Sequence, residues 1–221
     1  MPRIIDLTMT IEPHFRWKVE RKLVGDFAKG DAFQITWVGW SVHGFTHIDA
    51  PRHMVPGGPT TDAFTLESLV GDARVVDLTS IRPNEAIDAE RLAKAAPDLE
   101  AGEIVLLKTA WDIRRSHHTP EFWTEAPYLT REACEWLLAR KPRTIGFDFP
   151  QDYPIRGLLT GVRAPMREFV SHDVLLRNGV FMIEYICNLS ALKGPRTKLS
   201  ALPLKVPDAD GAPARVVAVE A

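Results

Sequence analysis

Apolar positions along this chain fall in short runs separated by polar and Gly/Pro-containing stretches. Runs rich in branched and aromatic residues occur at 3–7, 33–42, 73–78, 104–107, 144–147, 180–186 and 215–219, and their lengths suit strands better than buried helices. Between them, 88–96, 131–140 and 171–177 read as helices: the first stops before Pro97, the second follows Thr130, and the third ends at Asn178-Gly179. Thr130 and Ser171 are side chains of the N-capping kind, with Glu132 and Asp173 placed where the helix dipole favours a negative charge. The pattern predicts a mixed fold, α/β or α+β, with more strand than helix. It also predicts one domain over 1–221, because no repeat, charge block or low-complexity linker divides the chain. The alternation is too loose to give strand order.

Composition narrows the possible partners. The 221 residues are 45% hydrophobic and 25% charged, an ordinary globular balance with enough chain for a sizeable core. Lys plus Arg number 27 against 29 Asp plus Glu, so the basic excess that drives non-specific nucleic-acid binding is missing. No apolar run approaches the roughly 18 residues of a membrane span, and the first is stopped by Asp6 too early to be a secretory signal. The expectation is a cytoplasmic protein without nucleic-acid or membrane partners, in which Cys134 and Cys187 are reduced thiols.

The chemistry concentrates in one stretch. Of seven histidines, His43, His47 and His53 fall within eleven residues together with Asp49. On a helix Asp49 would diverge from His47, and Thr46, Ile48 and Pro51 disfavour helix. On an extended chain all four odd positions point one way. A straight strand would still hold His43 and His47 about 13 Å apart, too far for one ion, so a bend is required; Gly44 and Pro51 are the residues able to supply it. Imidazole plus carboxylate suits Zn²⁺, Mn²⁺ or Fe²⁺, and the lack of a neighbouring Cys favours a catalytic over a closed structural site. Farther on, Glu184 interrupts a run of large apolar residues and needs a cation, either a metal or a basic side chain. His172 is open between a ligand and a residue of the helix start. Six tryptophans include Trp17, Trp37 and Trp40, which could flank an aromatic substrate or pack in a core or interface. The Gly39-Trp40-Ser41-Val42-His43 stretch lacks the second glycine of a nucleophile elbow, and no phosphate-binding glycine loop occurs.

The segment His43-Gly44-Phe45-Thr46-His47-Ile48-Asp49-Ala50-Pro51-Arg52-His53 resembles the signature of the metal-dependent cyclase family that includes bacterial kynurenine formamidase and isatin hydrolase. The likeness extends through Ile4-Ile5-Asp6-Leu7-Thr8, Lys108-Thr109-Ala110-Trp111, Ile145-Gly146-Phe147-Asp148, His172, Glu184, Pro203-Leu204 and Ala214-Arg215-Val216. The resemblance implies a compact swivelling β/β/α fold, a homodimer or larger assembly, and one or two Zn²⁺ or Mn²⁺ ions per subunit. It implies His43, His47 and Asp49 as ligands, Asp49 and Glu184 as bridging carboxylates, His172 on the second ion and His53 as acid/base. The implied activity is hydrolysis of a small amide, an N-formyl arylamine such as N-formylkynurenine. The alternatives are an isatin-type lactam or lactone hydrolase, and a non-catalytic metal-binding sensor. Three positions depart from the family: Phe45 stands where glycine is common, Met54 where phenylalanine is common, and the N-terminal formamidase substrate segment has only Trp17 as a positional counterpart. Trp17 and Phe45 are the expected substrate contacts, and Phe45 is also the residue that would plug a sensor's pocket.

Overall fold

In a computed structural model, which describes residues 1–220, the apolar runs become strands that close on themselves. In chain order the strands are β1 (Arg3–Asp6), β2 (Glu20–Gly25), β3 (Ile35–Gly39), β4 (His47–Asp49), β5 (Val70–Asp77), β6 (Ala86–Ile87), β7 (Ile104–Lys108), β8 (Tyr128–Leu129), β9 (Thr144–Phe147), β10 (Phe181–Glu184), β11 (Arg196–Pro203) and β12 (Gly211–Glu220). The α-helices are α1 (Ala89–Ala95), α2 (Trp111–Arg114), α3 (Glu121–Thr124), α4 (Arg131–Ala139) and α5 (Val170–Val174). The main sheet runs β1-β12-β11-β5-β7-β9-β10-β4, and β4 pairs with β12 as well, which makes the sheet barrel-like. Its centre, β5-β7-β9-β10, is parallel, while β4, β11, β12 and β1 join antiparallel.

A parallel strand buried on both faces reads as a continuous apolar run, and β7 is one. Ile104 and Leu106 join Ile48, Ile183, Leu199 and Val216 inside the barrel. Val105 and Leu107 face outward, in the layer with Leu92, Trp111, Leu137 and Leu176. Gly146 leaves room for that interior: a Cβ there would stand 2.9 Å from Leu106 Cδ2 and closer still to Ile186.

The predicted helices at 88–96 and 131–140 form as α1 and α4, capped by Asp88 and Thr130 side chains that accept from the Arg91 and Ala133 amides at 2.8 and 3.2 Å. Four points need correction. The run 33–42 shrinks to β3, which pairs antiparallel with β2. β2 went unseen because Glu20, Arg21 and Lys22 precede Leu23 and nearly every position is exposed, leaving no buried alternation to detect. β11 also went unseen, although Thr197, Leu199 and Ala201 are buried on alternate positions; two of these are too small or polar to register as an apolar run. Ser171 does not cap α5, which starts one residue earlier; its hydroxyl bonds Asp152 instead.

Candidate active site

The short strand β4 sets the geometry. Wedged between β10 and β12, it places His47 opposite Glu184 and Asp49 opposite both Met182 and Gly211. Residues two apart in a strand share a face, so His47 and Asp49 point together. The extended reading of 43–53 therefore applies to its middle. The chain enters β4 through a turn in which Phe45, not Gly44, has the left-handed φ of 61°, and it leaves through a single 3₁₀ turn, Pro51–His53. These two bends bring His43 and His53 back over the strand, their ring centroids 4.0 Å apart. Gly211 is required beneath them, since a Cβ there would lie 2.7 Å from His43 Cε1. His172 arrives from α5 on the far side, its ring 5.6 Å from that of His53.

Two of the imidazoles share one arrangement. His47 Nδ1–H donates to the Phe45 carbonyl at 2.8 Å, which leaves the Nε2 lone pair facing Asp49 Oδ1 at 3.2 Å and Glu184 Oε2 at 3.7 Å. His172 Nδ1–H donates to Asp152 Oδ2 at 2.6 Å, which aims Nε2 at Glu184 Oε1, 3.4 Å away, and at Asp49 Oδ2, 3.6 Å away. A lone pair directed at buried carboxylate oxygens is repulsive unless positive charge lies between them, as a proton or as a metal ion. His47 Nε2 and Asp49 Oδ2 are buried with no hydrogen-bond partner. The donor set of buried imidazole and carboxylate thus fits a divalent cation held by His47, Asp49 and Glu184, whose ligand atoms lie within 4.8 Å of one another; His43, Asp49 and His53 form a second such group sharing Asp49.

Where no ion neutralises them, the carboxylates draw protons. Against burial, which disfavours the cation, Asp49 and Asp210 raise the His43 imidazole to about 9. His172 is buried as well, yet its bonds to Asp152 and Asp49 hold it well above its ordinary value. Asp49 is buried too, and the surrounding histidines keep it well below the usual carboxylate range. His53 moves the opposite way: burial lowers it, and the cationic His43 and His172 add to this against the pull of Asp49. Of His43, His53 and His172 it is the one held toward the neutral form.

These groups form the polar end of a cavity of about 330 Å³. Trp17, Ile155, Leu158, Met166 and Phe169 make its apolar wall, with Arg16, Ser41 and Tyr185 also lining it. His43, Asp49, His53, His172, Glu184 and Trp17 are therefore brought together. Phe45 is not among the lining residues: it is 1% exposed and packs behind Trp17 at 4.8 Å between centroids, so it neither lines nor plugs the pocket. Trp37 lies exposed on β3 and Trp40 is half-buried elsewhere, so of the three expected tryptophans only Trp17 reaches the cavity. Sequence reasoning missed Asp152, whose carboxylate takes bonds from the Ser171 amide, the Ser171 hydroxyl and His172. It also missed Gln151, which donates to Glu184, and Asp210, which accepts from His43 at 3.0 Å. Asp152 and Asp210 are acids in loop sequence and carried no signal.

The family model described as Putative cyclase matches residues 5–151. Isatin hydrolase of Roseibium aggregatum is 29% identical over 224 residues, covering 91% of this chain and 81% of the relative. Kynurenine formamidase of Bacillus thuringiensis is 32% identical over 178 residues, covering 80% and 76%. Among solved structures, one described as a potential metal-dependent hydrolase with cyclase activity superposes with a TM-score of 0.77 at 27% identity, covering 100% of this chain and 99% of its own. Isatin hydrolase A from Labrenzia aggregata shares the fold with a TM-score of 0.83 at 23% identity, over 99% and 94%.

Proposed function

The chain belongs to this cyclase family, and from that premise we propose that it is a metal-dependent amidohydrolase of small aromatic amides, with an N-formyl arylamine such as N-formylkynurenine as the favoured substrate. The observation that carries the reading is the pair of imidazole lone pairs, on His47 and His172, aimed at the same two buried carboxylates at the end of an apolar cavity. His43, His47, Asp49, His172 and Glu184 would hold one or two divalent ions, Zn²⁺ or Mn²⁺. Bound there, such an ion supplies a Lewis acid that polarises a carbonyl and lowers the pKa of water.

The chain's own residues do the rest. Asp152 and the Phe45 carbonyl fix the ring orientation and tautomer of His172 and His47. His53, kept neutral by its burial, takes the proton from the attacking water and returns it to the departing nitrogen, work typically contributing about 10²- to 10⁴-fold. Trp17 and the apolar wall hold an aromatic ring and exclude water. Arg16 offers a cation at the same cavity for an anionic substituent, such as an amino-acid carboxylate. A second reading, hydrolysis of an isatin-type lactam or a lactone, is favoured by the match to isatin hydrolase over 91% of the chain. A non-catalytic sensor loses its supporting residue, because Phe45 lies behind the pocket.

The reading includes cytoplasmic location, supported by free Cys134 and Cys187, with burial pushing the Cys187 thiol up to about 12. Among the described residues no helix is long and apolar enough to cross a membrane. It also includes assembly into a homodimer or larger oligomer. The test of the activity is a panel of N-formyl arylamines, lactams and lactones assayed before and after chelation. Hydrolysis is expected to vanish with chelator and return with Zn²⁺ or Mn²⁺. Full activity in a verified metal-free sample overturns the mechanism, and the preferred substrate class separates the two readings.

A further inference from the structure

Three of the seven histidines take no part in the pocket chemistry, and they meet in one place. His14 lies on the irregular segment leading to Trp17, while His117 and His118 form the turn between α2 and α3. The ring of His14 is 6.0 Å from that of His117 and 5.4 Å from that of His118, between centroids. Both nitrogens of His14 are engaged: Nδ1 accepts from the Arg16 amide at 3.1 Å, so Nε2–H donates to the His117 carbonyl at 2.8 Å. His14 is thus a clamp between segment and turn. The carboxylate of Glu12 and one ring nitrogen from each of His117 and His118 lie within 4.8 Å of one another, with Glu12 Oε1 3.2 Å from His118 Nε2. His117 Nε2 is buried without a hydrogen-bond partner.

We propose that Glu12, His117 and His118 form a second divalent transition-metal site, outside the cyclase motif, that takes Zn²⁺ and ties the Glu12–Trp17 segment to the 116–119 turn. Two imidazoles and one carboxylate are a recurrent zinc donor set, and donor atoms around tetrahedral Zn²⁺ stand roughly 3.4 Å apart. The half-buried and exposed side chains here need to close by no more than about 1.4 Å to meet that spacing. Arg16, the cation next along the segment, is drawn away over the Trp123 ring, 4.4 Å from its centroid. The segment so tied carries Arg16 and Trp17 into the cavity wall, which makes the order of that wall depend on the ion.

This site stands independently of the hydrolase reading. The experiment dialyses chelator-stripped full-length protein against Zn²⁺ and counts bound ions per chain in the parent, His118→Ala and His47→Ala. His118 is exposed, so its variant keeps the fold. His118→Ala is expected to lose one ion relative to the parent, and His47→Ala to lose motif-bound metal while keeping that ion. Equal zinc content in the parent and His118→Ala overturns the site, whatever His47→Ala shows. Amide exchange over residues 12–18 should slow when Zn²⁺ is added to the parent and stay unchanged in His118→Ala. Zinc bound without that slowing overturns the tie between segment and turn.

Discussion

Phe45 holds a left-handed φ of 61° with its ring almost fully buried. A side chain in that region costs roughly 1–2 kcal/mol, a cost that glycine would not incur. Removing a buried phenylalanine ring costs about 3–5 kcal/mol. The ring therefore outweighs the strain, and Phe45→Gly is expected to lower stability by roughly 2 kcal/mol, read as a lower urea midpoint with unchanged metal content. An unchanged or raised midpoint would show that the strain dominates. His53 poses a different question, since it lies near enough to His43 and Asp49 to ligate. If it transfers protons, His53→Ala keeps parental metal content while kcat falls about 10²-fold or more; a metal-depleted variant makes it a ligand. The residues gathered at the polar end of the cavity were legible because their types are costly elsewhere. Three histidines and an aspartate crowd one stretch, and Glu184 interrupts an apolar strand. Asp152, Gln151 and Asp210 were not, because an isolated polar residue in a loop looks the same in sequence whether it orients an imidazole or faces solvent.

Among the elements, strands whose buried face is made of large apolar residues were readable; β2, with almost no buried face, and β11, whose buried face includes Thr197 and Ala201, were not. The joint between β7 and β9 links two segments that carried the family likeness separately. Asp148, just after β9, accepts from the Thr109 amide at 3.0 Å, the Thr109 hydroxyl at 2.6 Å and the Ala110 amide at 2.9 Å. Those bonds hold Ala110 at its left-handed φ of 56°. Complete burial drives the carboxyl up, nearby Asp112 adds to it, and the three donors only partly offset this, leaving Asp148 at about 7 against an ordinary 3.8. A carboxyl with a raised folded-state pKa binds its proton more tightly when folded. Its stabilisation is complete below pH 4 and is lost as pH rises through about 7, by at most about 4 kcal/mol. Asn at 148 does not titrate. The stability of the parent relative to Asp148→Asn should therefore decline between pH 4 and pH 8 in urea denaturation. A flat difference would mean that the three donors keep the carboxylate ionised throughout.

At the scale of the whole molecule, the β2–β3 hairpin stands out because both of its faces are open. Leu23, Val24, Ile35 and Trp37 are exposed, as are Phe27 and Phe33 at 63% and 66% in the connection. A two-stranded hairpin alone is marginal in water, and an apolar surface of this kind marks an association site. A second copy of the chain is the occupant that the proposed assembly would place there, which rests that proposal on this hairpin rather than on the tryptophans generally. Trp111 and Trp123 are fully buried, and of the six only Trp37 is substantially exposed. The hairpin also sits in the chain between Arg16-Trp17 and Ser41-His43, all of which line the cavity. Whatever orders the hairpin therefore steadies two parts of the pocket wall at once. Light scattering at micromolar concentration should give the mass of a dimer or larger species, and Ile35→Asp should shift it toward the monomer by placing a charge in the apolar face. The dissociated variant should keep its bound metal and show a raised KM, since the motif residues are anchored in the barrel while Trp17 and Arg16 are not. A monomeric parent would remove the interface, and an unchanged KM in a dissociated variant would separate assembly from the pocket.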